Sequence, residues 1–252
     1  MSESSPDISS QPLVAGPQPV EYVYVPDLNR NSLTVFFRWI LMIPQIVVFF
    51  FIVLWGFILG IAAWFGALFT GRVPEGIAES LERVVNYGVR LNAYGSLLTD
   101  VYPPFKMTNV EYPFSVAFPP RTSLNRLAVL FRLILLIPAF IVYQVVPSGV
   151  QVLNFVHWLV GFITGKSPRA LYEVNLATQR YSARFFSYLF MLTAAYPSGI
   201  MGDTAEGTAD PLEGDAPRTR VVLSDSGRMW MWIAIALGLV LTLFNNRNGT
   251  YY

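Results

Sequence analysis

Phe37-Arg38-Trp39-Ile40-Leu41-Met42-Ile43-Pro44 returns 94 residues later as Phe131-Arg132-Leu133-Ile134-Leu135-Leu136-Ile137-Pro138. The match extends outward in the same register. Trp64 answers to Trp158, Thr70-Gly71-Arg72 to Thr164-Gly165-Lys166, and Pro74 to Pro168. Tyr87, Arg90, Tyr94, Leu98 and Thr99 answer to Tyr181, Arg184, Tyr188, Leu192 and Thr193, and Tyr102-Pro103 to Tyr196-Pro197. No gap is needed from residue 37 to residue 103. Chance supplies one such block, but five in one register mark an internal duplication.

The repeated unit is built for lipid. Residues 39–71 and 133–165 are each 33 positions without Asp, Glu, Lys or Arg, and residues 229–246 are a further 18. A spanning helix needs about 20 apolar residues. A helix of 33 residues rises about 50 Å against a hydrocarbon core of about 30 Å, so each long stretch must tilt, break or turn back. Pro44 predicts one break, giving a short helix over 32–43 and a second over 45–69. Pro138 marks the same place in the second copy. Pro147-Ser148-Gly149 predicts a further break there, and Gln144, Gln151 and Asn154 make its middle polar. That middle fits a re-entrant hairpin or a protein-facing helix better than a lipid-facing span. Arg228 and Arg247 bracket the third stretch, with Trp230 and Trp232 at one end, which reads as a C-terminal transmembrane anchor.

Around these stretches the order within each unit is legible. A short alternating strand comes first, over 21–25 and 115–118. After Thr-Gly-Arg/Lys-x-Pro, a helix over 74–98 is amphipathic. Ile77, Leu81, Val84, Val85 and Gly88 share one face, and Glu79, Glu82, Arg83, Asn86 and Arg90 mark the other. Such a helix lies along a membrane surface or against a partner. In the second copy this region ends in an apolar run over 185–202 that is suited to entering the bilayer. Segments 105–107 and 220–224 are candidates to widen a small surface sheet. The expected organisation is a tail without fixed structure over 1–19, repeats over 20–108 and 109–202, an acidic linker over 203–227 and the anchor over 228–252. The fold class is a mainly α membrane protein: two tandem repeats of apolar helices, open to a hairpin form, each with an amphipathic interfacial helix, plus short surface strands. Basic residues flank both ends of each long stretch, Arg38 and Arg72 in one copy, Arg132 and Lys166 in the other. Hairpins, or an even number of crossings, put the polar parts of both copies on the cytoplasmic side.

Composition narrows the chemistry. Charged residues are 13% of the 252, about half the usual share, and 15% are aromatic. With no cysteine and one histidine, His157, thiolate and multi-histidine metal sites are excluded. No cofactor is expected. A net charge of +1 gives no reason to expect nucleic acid. The first 19 residues hold no Lys or Arg and no apolar core, so they do not read as a secretory signal. No Walker, dinucleotide or nucleophile-elbow motif occurs, and Thr70-Gly71-Arg72 is too short for a phosphate loop. Asn248-Gly249-Thr250 matches the glycosylation sequon only formally.

Six residues are candidates for contact with lipid or a partner. Arg38 and Arg132 hold the same place ahead of the proline in both copies; one reading has them binding lipid phosphate, the other snorkelling to the interface. Arg90 and Arg184, with Tyr94 and Tyr188 one turn on, frame a headgroup or partner site, or else form a solvated face with aromatic anchors. His157 beside Trp158 reads as a buried or interfacial histidine bonded to backbone rather than a proton relay or haem ligand.

Residues 64–76 and 90–105 resemble a bacterial membrane family known only as the domain of unknown function numbered 4389. Its pattern runs Trp-Phe-x-x-Leu-Phe-Thr-Gly-Arg-x-Pro-x-Gly, then Arg-x-Asn-Ala-Tyr-x-x-Leu-Leu-Thr-Asp-x-Tyr-Pro-Pro-Phe. The second copy departs from it: Lys166 stands for Arg, Ala170 for Gly, Phe185-Phe186-Ser187 for the Leu-Asn-Ala triplet, and Ala194 for Asp. The resemblance spans about residues 20–199 and implies a bacterial membrane location and no activity. The expected function is a non-catalytic, multi-pass protein of the bacterial cytoplasmic membrane, an accessory or scaffold subunit whose partners are membrane lipids and other membrane protein subunits. The alternative is a lipid- or solute-handling channel or transporter built by the two repeats around a shared axis.

Overall fold

A chain this apolar has little choice but helix, because each residue then satisfies its own backbone within its segment. The computed structural model describes residues 17–108, 110–204, 210 and 212–248. In chain order it has β1 (Glu21–Tyr24), α1 (Ser32–Thr70), α2 (Glu75–Gly95), β2 (Phe114–Ala117), α3 (Arg126–Leu130), α4 (Arg132–Leu135), α5 (Ile137–Thr164), α6 (Arg169–Leu189) and α7 (Asp225–Asn248). Ser32–Thr70, Ile137–Thr164 and Asp225–Asn245 are long and apolar enough to cross a membrane. Residues 1–16 of the expected tail and residues 249–250 of the sequon lie outside the described residues. Gln18 is held, since Thr193 Oγ1 donates to its carbonyl at 2.7 Å.

Helix α1 begins at Asn31, whose Oδ1 accepts from the Leu33 and Thr34 amides, and stops at Gly71 in the left-handed conformation, φ 75°. The break expected at Pro44 does not occur, and α1 runs 39 residues without interruption. The proline still removes one donor. The Tyr102 hydroxyl donates to the Leu41 carbonyl at 3.1 Å in the turn before it, and α2 packs antiparallel along α1 past the proline. Gly95 faces Met42, Gly88 faces Phe49 and Gly56 faces Val84. In the second copy the chain does break, at Phe131 and Leu136. Helix α5 then starts with Pro138 in its first turn, where a missing donor is harmless.

The second break, expected at Pro147, is also absent, and α5 continues to Thr164. Of its three polar residues only Asn154 is buried against protein, beside Val146, Gly149 and Val150; Gln144 and Gln151 are exposed. Helix α7 lies antiparallel along it at close range. A Cβ added at Gly149 would sit 1.7 Å from the Ala234 carbonyl oxygen, and one at Gly238 would sit 1.9 Å from that of Val145. Small residues permit such an approach between helices. The apolar run over 185–202 does not extend α6, which stops at Leu189. Both amphipathic helices turn over a non-glycine residue at positive φ, Leu97 at 59° and its repeat mate Met191 at 60°.

β1 and β2 pair antiparallel with Tyr22 opposite Val116. Those two residues are 94 apart, so a pseudo-twofold axis passes between them. The same symmetry crosses the copies reciprocally. Trp64 Nε1 donates to the Val129 carbonyl at 3.1 Å, and Trp158 Nε1 to that of Val35 at 2.9 Å. The Leu124 amide bonds the Gly71 carbonyl and the Arg30 amide that of Gly165, both at 2.8 Å. Segment 105–107 forms no strand, and 220–224 forms none either; the linker meets the sheet at the bridge between Tyr24 and Arg218 and where the Tyr24 hydroxyl donates to the Arg220 carbonyl at 2.8 Å. The result is three layers: α1, α3–α5 and α7; then α2 and α6; then the sheet.

Candidate functional site

The repeated arginines turn inward. Arg38 is 1% exposed and Arg132 is 3%. Arg38 Nη1 donates to the Tyr94 and Thr99 carbonyls, and Nη2 pairs with Asp100. Arg132 Nε donates to the Tyr188 carbonyl at 2.6 Å, and Nη2 to that of Thr193. Each guanidinium lies over a tyrosine ring, 4.4 Å from the centre of Tyr94 and 3.8 Å from that of Tyr188. A cation here neutralises the negative end of α2 or α6 and covers carbonyls the helix leaves open. Ala194 stands where the first copy has Asp100, and among the described residues no carboxylate pairs with Arg132. Arg90, buried, donates to the Lys106 carbonyl at 2.9 Å, and half-buried Arg184 to that of Ser198 at 3.0 Å. Burial pushes both guanidinium pKa values down. All six candidates are thus tied into loops that close their own repeat.

His157 is fully buried in a chain of neutral donors. Asn175 Nδ2 lies 3.4 Å from Nδ1, Nε2 lies 3.0 Å from Ser167 Oγ, and that hydroxyl donates to the Leu97 carbonyl. Both ring partners, Asn175 and Ser167, are neutral. Glu173, the mate of exposed Glu79, is buried and grips the start of α7: Oε2 accepts from the Ser224 amide at 2.8 Å and its hydroxyl at 2.6 Å, while Oε1 pairs with Arg169 at 2.9 Å.

One cavity sits on the pseudo-twofold axis. It has a volume of about 350 Å³ and lies where α1 and α5 part, beneath α2 and α6. Its walls come from both copies in register: Phe49 with Tyr143, Val53 with Pro147, Gly88 with Ser182. Of the polar residues expected in the α5 middle, Gln151 and Asn154 line it and Gln144 does not. Asn175, Thr178, Gln179 and Ser182 also line it and had not been singled out from sequence. Their signal lay in the repeat register, where the first copy carries Leu81, Val84, Val85 and Gly88.

These layers, the crossed contacts and the axial cavity define a tandem-repeat helical protein with helices suited to a membrane. Residues 32–106 and 126–201 each match the family described as Domain of unknown function (DUF4389), and the chain belongs to that family. No curated protein matches the chain. No solved structure matches it either.

Proposed function

We propose that the chain is a non-catalytic accessory protein of the bacterial cytoplasmic membrane, embedded from one side by its α1, α3–α5 and α7 layer. The carrying observation is where large apolar side chains stand exposed. They lie on α1, α3–α5, α7 and the adjoining turns, for example Phe51, Trp55, Leu133, Phe155 and Leu243; among the described residues none lies on α2, α6 or either strand. An exposed apolar face of this extent marks a lipid or protein contact.

Length alone allows α1, α5 and α7 to cross the bilayer. Their setting favours lying along it. α1 is about 58 Å long, nearly twice the hydrocarbon thickness. Arg90, alongside the middle of α1, bonds the carbonyl of exposed Lys106, and exposed Glu111 follows in the same loop. An upright α1 would carry that lysine and carboxylate to the bilayer interior, where charge is costly. A flat α1 keeps both in water. The non-catalytic reading is supported by the buried charged groups, since Arg38, Arg132, Arg180 and Glu173 all bond to carbonyls, carboxylates or helix starts. The bacterial location rests on the family resemblance.

The chain contains no cysteine, so single cysteines report sidedness directly. With an impermeant maleimide on oriented vesicles, cysteines replacing Arg72, Lys106 and Lys166 should all label from one side. Arg72 and Lys166 labelling from opposite sides would reject the flat arrangement. Gentle extraction and native mass measurement test the accessory role, for which a larger assembly is expected and a lone chain counts against it. The alternative, lipid or solute handling, is favoured by the axial cavity.

A further inference from the structure

The cavity is symmetric in position and asymmetric in chemistry. Because α2 and α6 run antiparallel across the axis, the C-terminal part of one meets the N-terminal part of the other, and Gln179 Nε2 donates to Ser96 Oγ at 2.9 Å. At that end stand Asn92, Ser96, Gln151, Asn154, Asn175 and Gln179. At the opposite end the mates of Asn92, Ser96 and Gln179 are Phe186, Phe190 and Val85, with Val84 and Val53 beside them. No lining residue is an Asp, Glu, Lys or Arg. The polar end is not saturated. Asn175, 2% exposed, spends its Nδ2 on Asn154 Oδ1 and the Leu171 carbonyl, while its Oδ1 is buried with no hydrogen-bond partner. Asn92 and Gln151 are exposed at the rim. Val53, half exposed, stands at the mouth between α1 and α5, in the layer that carries the apolar surface.

We infer that this axial cavity binds an uncharged amphiphile: a hydroxylated head on the amide cluster around Asn175 and Gln179, and an apolar chain passing Val53 into the bilayer. The volume holds roughly a dozen water-sized groups, enough for a glycerol-sized head and the first methylenes. The remaining chain has to leave through the mouth. A hydroxyl supplies the donor that the Asn175 acceptor lacks. A phosphate or carboxylate head would enter a site with no cation to meet it, at a large desolvation cost. An acylglycerol is the simplest membrane component with this chemistry. The inference rests on the lipid-handling reading of the same cavity and on the apolar layer facing lipid, but not on whether α1 lies flat.

The test uses the intact chain in lauryldimethylamine-oxide micelles, whose head carries no hydroxyl, with tritiated 1,2-dioctanoylglycerol, counting ligand that co-elutes with protein and subtracting empty micelles. Saturable binding near one per chain is expected. Dioctanoyl phosphatidate should bind at least tenfold more weakly, as should the 3-O-acetyl derivative, which has lost the donor. Ser182→Leu fills the cavity, and Val53→Trp narrows its mouth from an exposed position where folding is not at risk; each should weaken binding tenfold or more. Gln144→Leu, outside the cavity, should leave it unchanged. Absence of saturable binding overturns the inference, as does equal binding of the phosphatidate, or unchanged binding in Val53→Trp. Because micelles have no sides, failure here leaves the sidedness result standing, and failure there leaves this one standing.

Discussion

At the scale of single residues, the most informative are the arginines the duplication preserved. Arg38 serves two carbonyls and one carboxylate from inside the fold. Removing it strands Asp100 and opens the end of α2, so Arg38→Leu is expected to destabilise by about 3 kcal/mol, read as a lower detergent melting temperature. Arg38→Lys should recover little, because a point ammonium cannot span the fork. Arg132→Leu should cost less, since no carboxylate is left behind. The sequence made the pairing legible in principle: Tyr94 with Thr99 and Tyr188 with Thr193 recur alongside their arginines. What it did not reveal was direction. Snorkelling outward and clasping inward need the same residue at the same offset, and only the return path of α2 decides between them.

Alkaline pH gives a second residue-scale expectation. Burial raises the Tyr172 pKa from 10 to about 12, against smaller lowering by its contact with the Asp27 amide. Its folded form therefore holds the proton more tightly than the unfolded chain. Stability from this group is complete below pH 10 and falls as pH rises from about 10 to about 12, by on the order of 1 kcal/mol per unit. Tyr172→Phe should flatten that part of the profile in pH-dependent melting; an unchanged slope would contradict the burial.

At the scale of elements, the crossing of α5 and α7 is the tightest contact. Gly149→Leu or Gly238→Leu places side-chain atoms where backbone oxygen already stands, so α7 should detach. Limited proteolysis would then cut near Ser224 while the repeats survive. Glu173→Gln weakens the same junction more mildly, by about 1 to 2 kcal/mol, since it keeps the shape but loses the charge that Ser224 and Arg169 share. The elements were only partly legible. The glycine stops at Gly71 and Gly165 were written in the chain, and the start of α5 followed from Pro138, whereas the Asn31 cap was not singled out. Pro44 and Pro147 misled because a proline reports the loss of one local bond, whereas α2 and α7 supply packing along the whole helix. The two expected extra strands did not form: the Lys106 carbonyl in segment 105–107 is taken by Arg90, and the linker meets β1 around Tyr24 alone, at the Arg218 bridge and the Arg220 carbonyl.

At the scale of the whole molecule, the duplication was readable but the crossing of the copies was not. A linear repeat does not say whether Trp64 will bond its own unit or the other. The acceptors are backbone carbonyls of Val35 and Val129, which carry no side-chain signature. Equivalence under the axis makes a simple forecast: Trp64→Phe and Trp158→Phe should each cost about 1 kcal/mol and by similar amounts. The axial cavity has a further meaning in this light. Contacts that exchange partners reciprocally are those of a self-complementary dimer. Two identical chains meeting on such an axis must line a central chamber twice with the same side chains, so the chamber could only be alike at both ends. Joined in one chain, the halves are released from that rule. Thr178, Gln179 and Ser182 can face Val84, Val85 and Gly88 across the axis, and a chamber with a wet end and an oily end becomes possible.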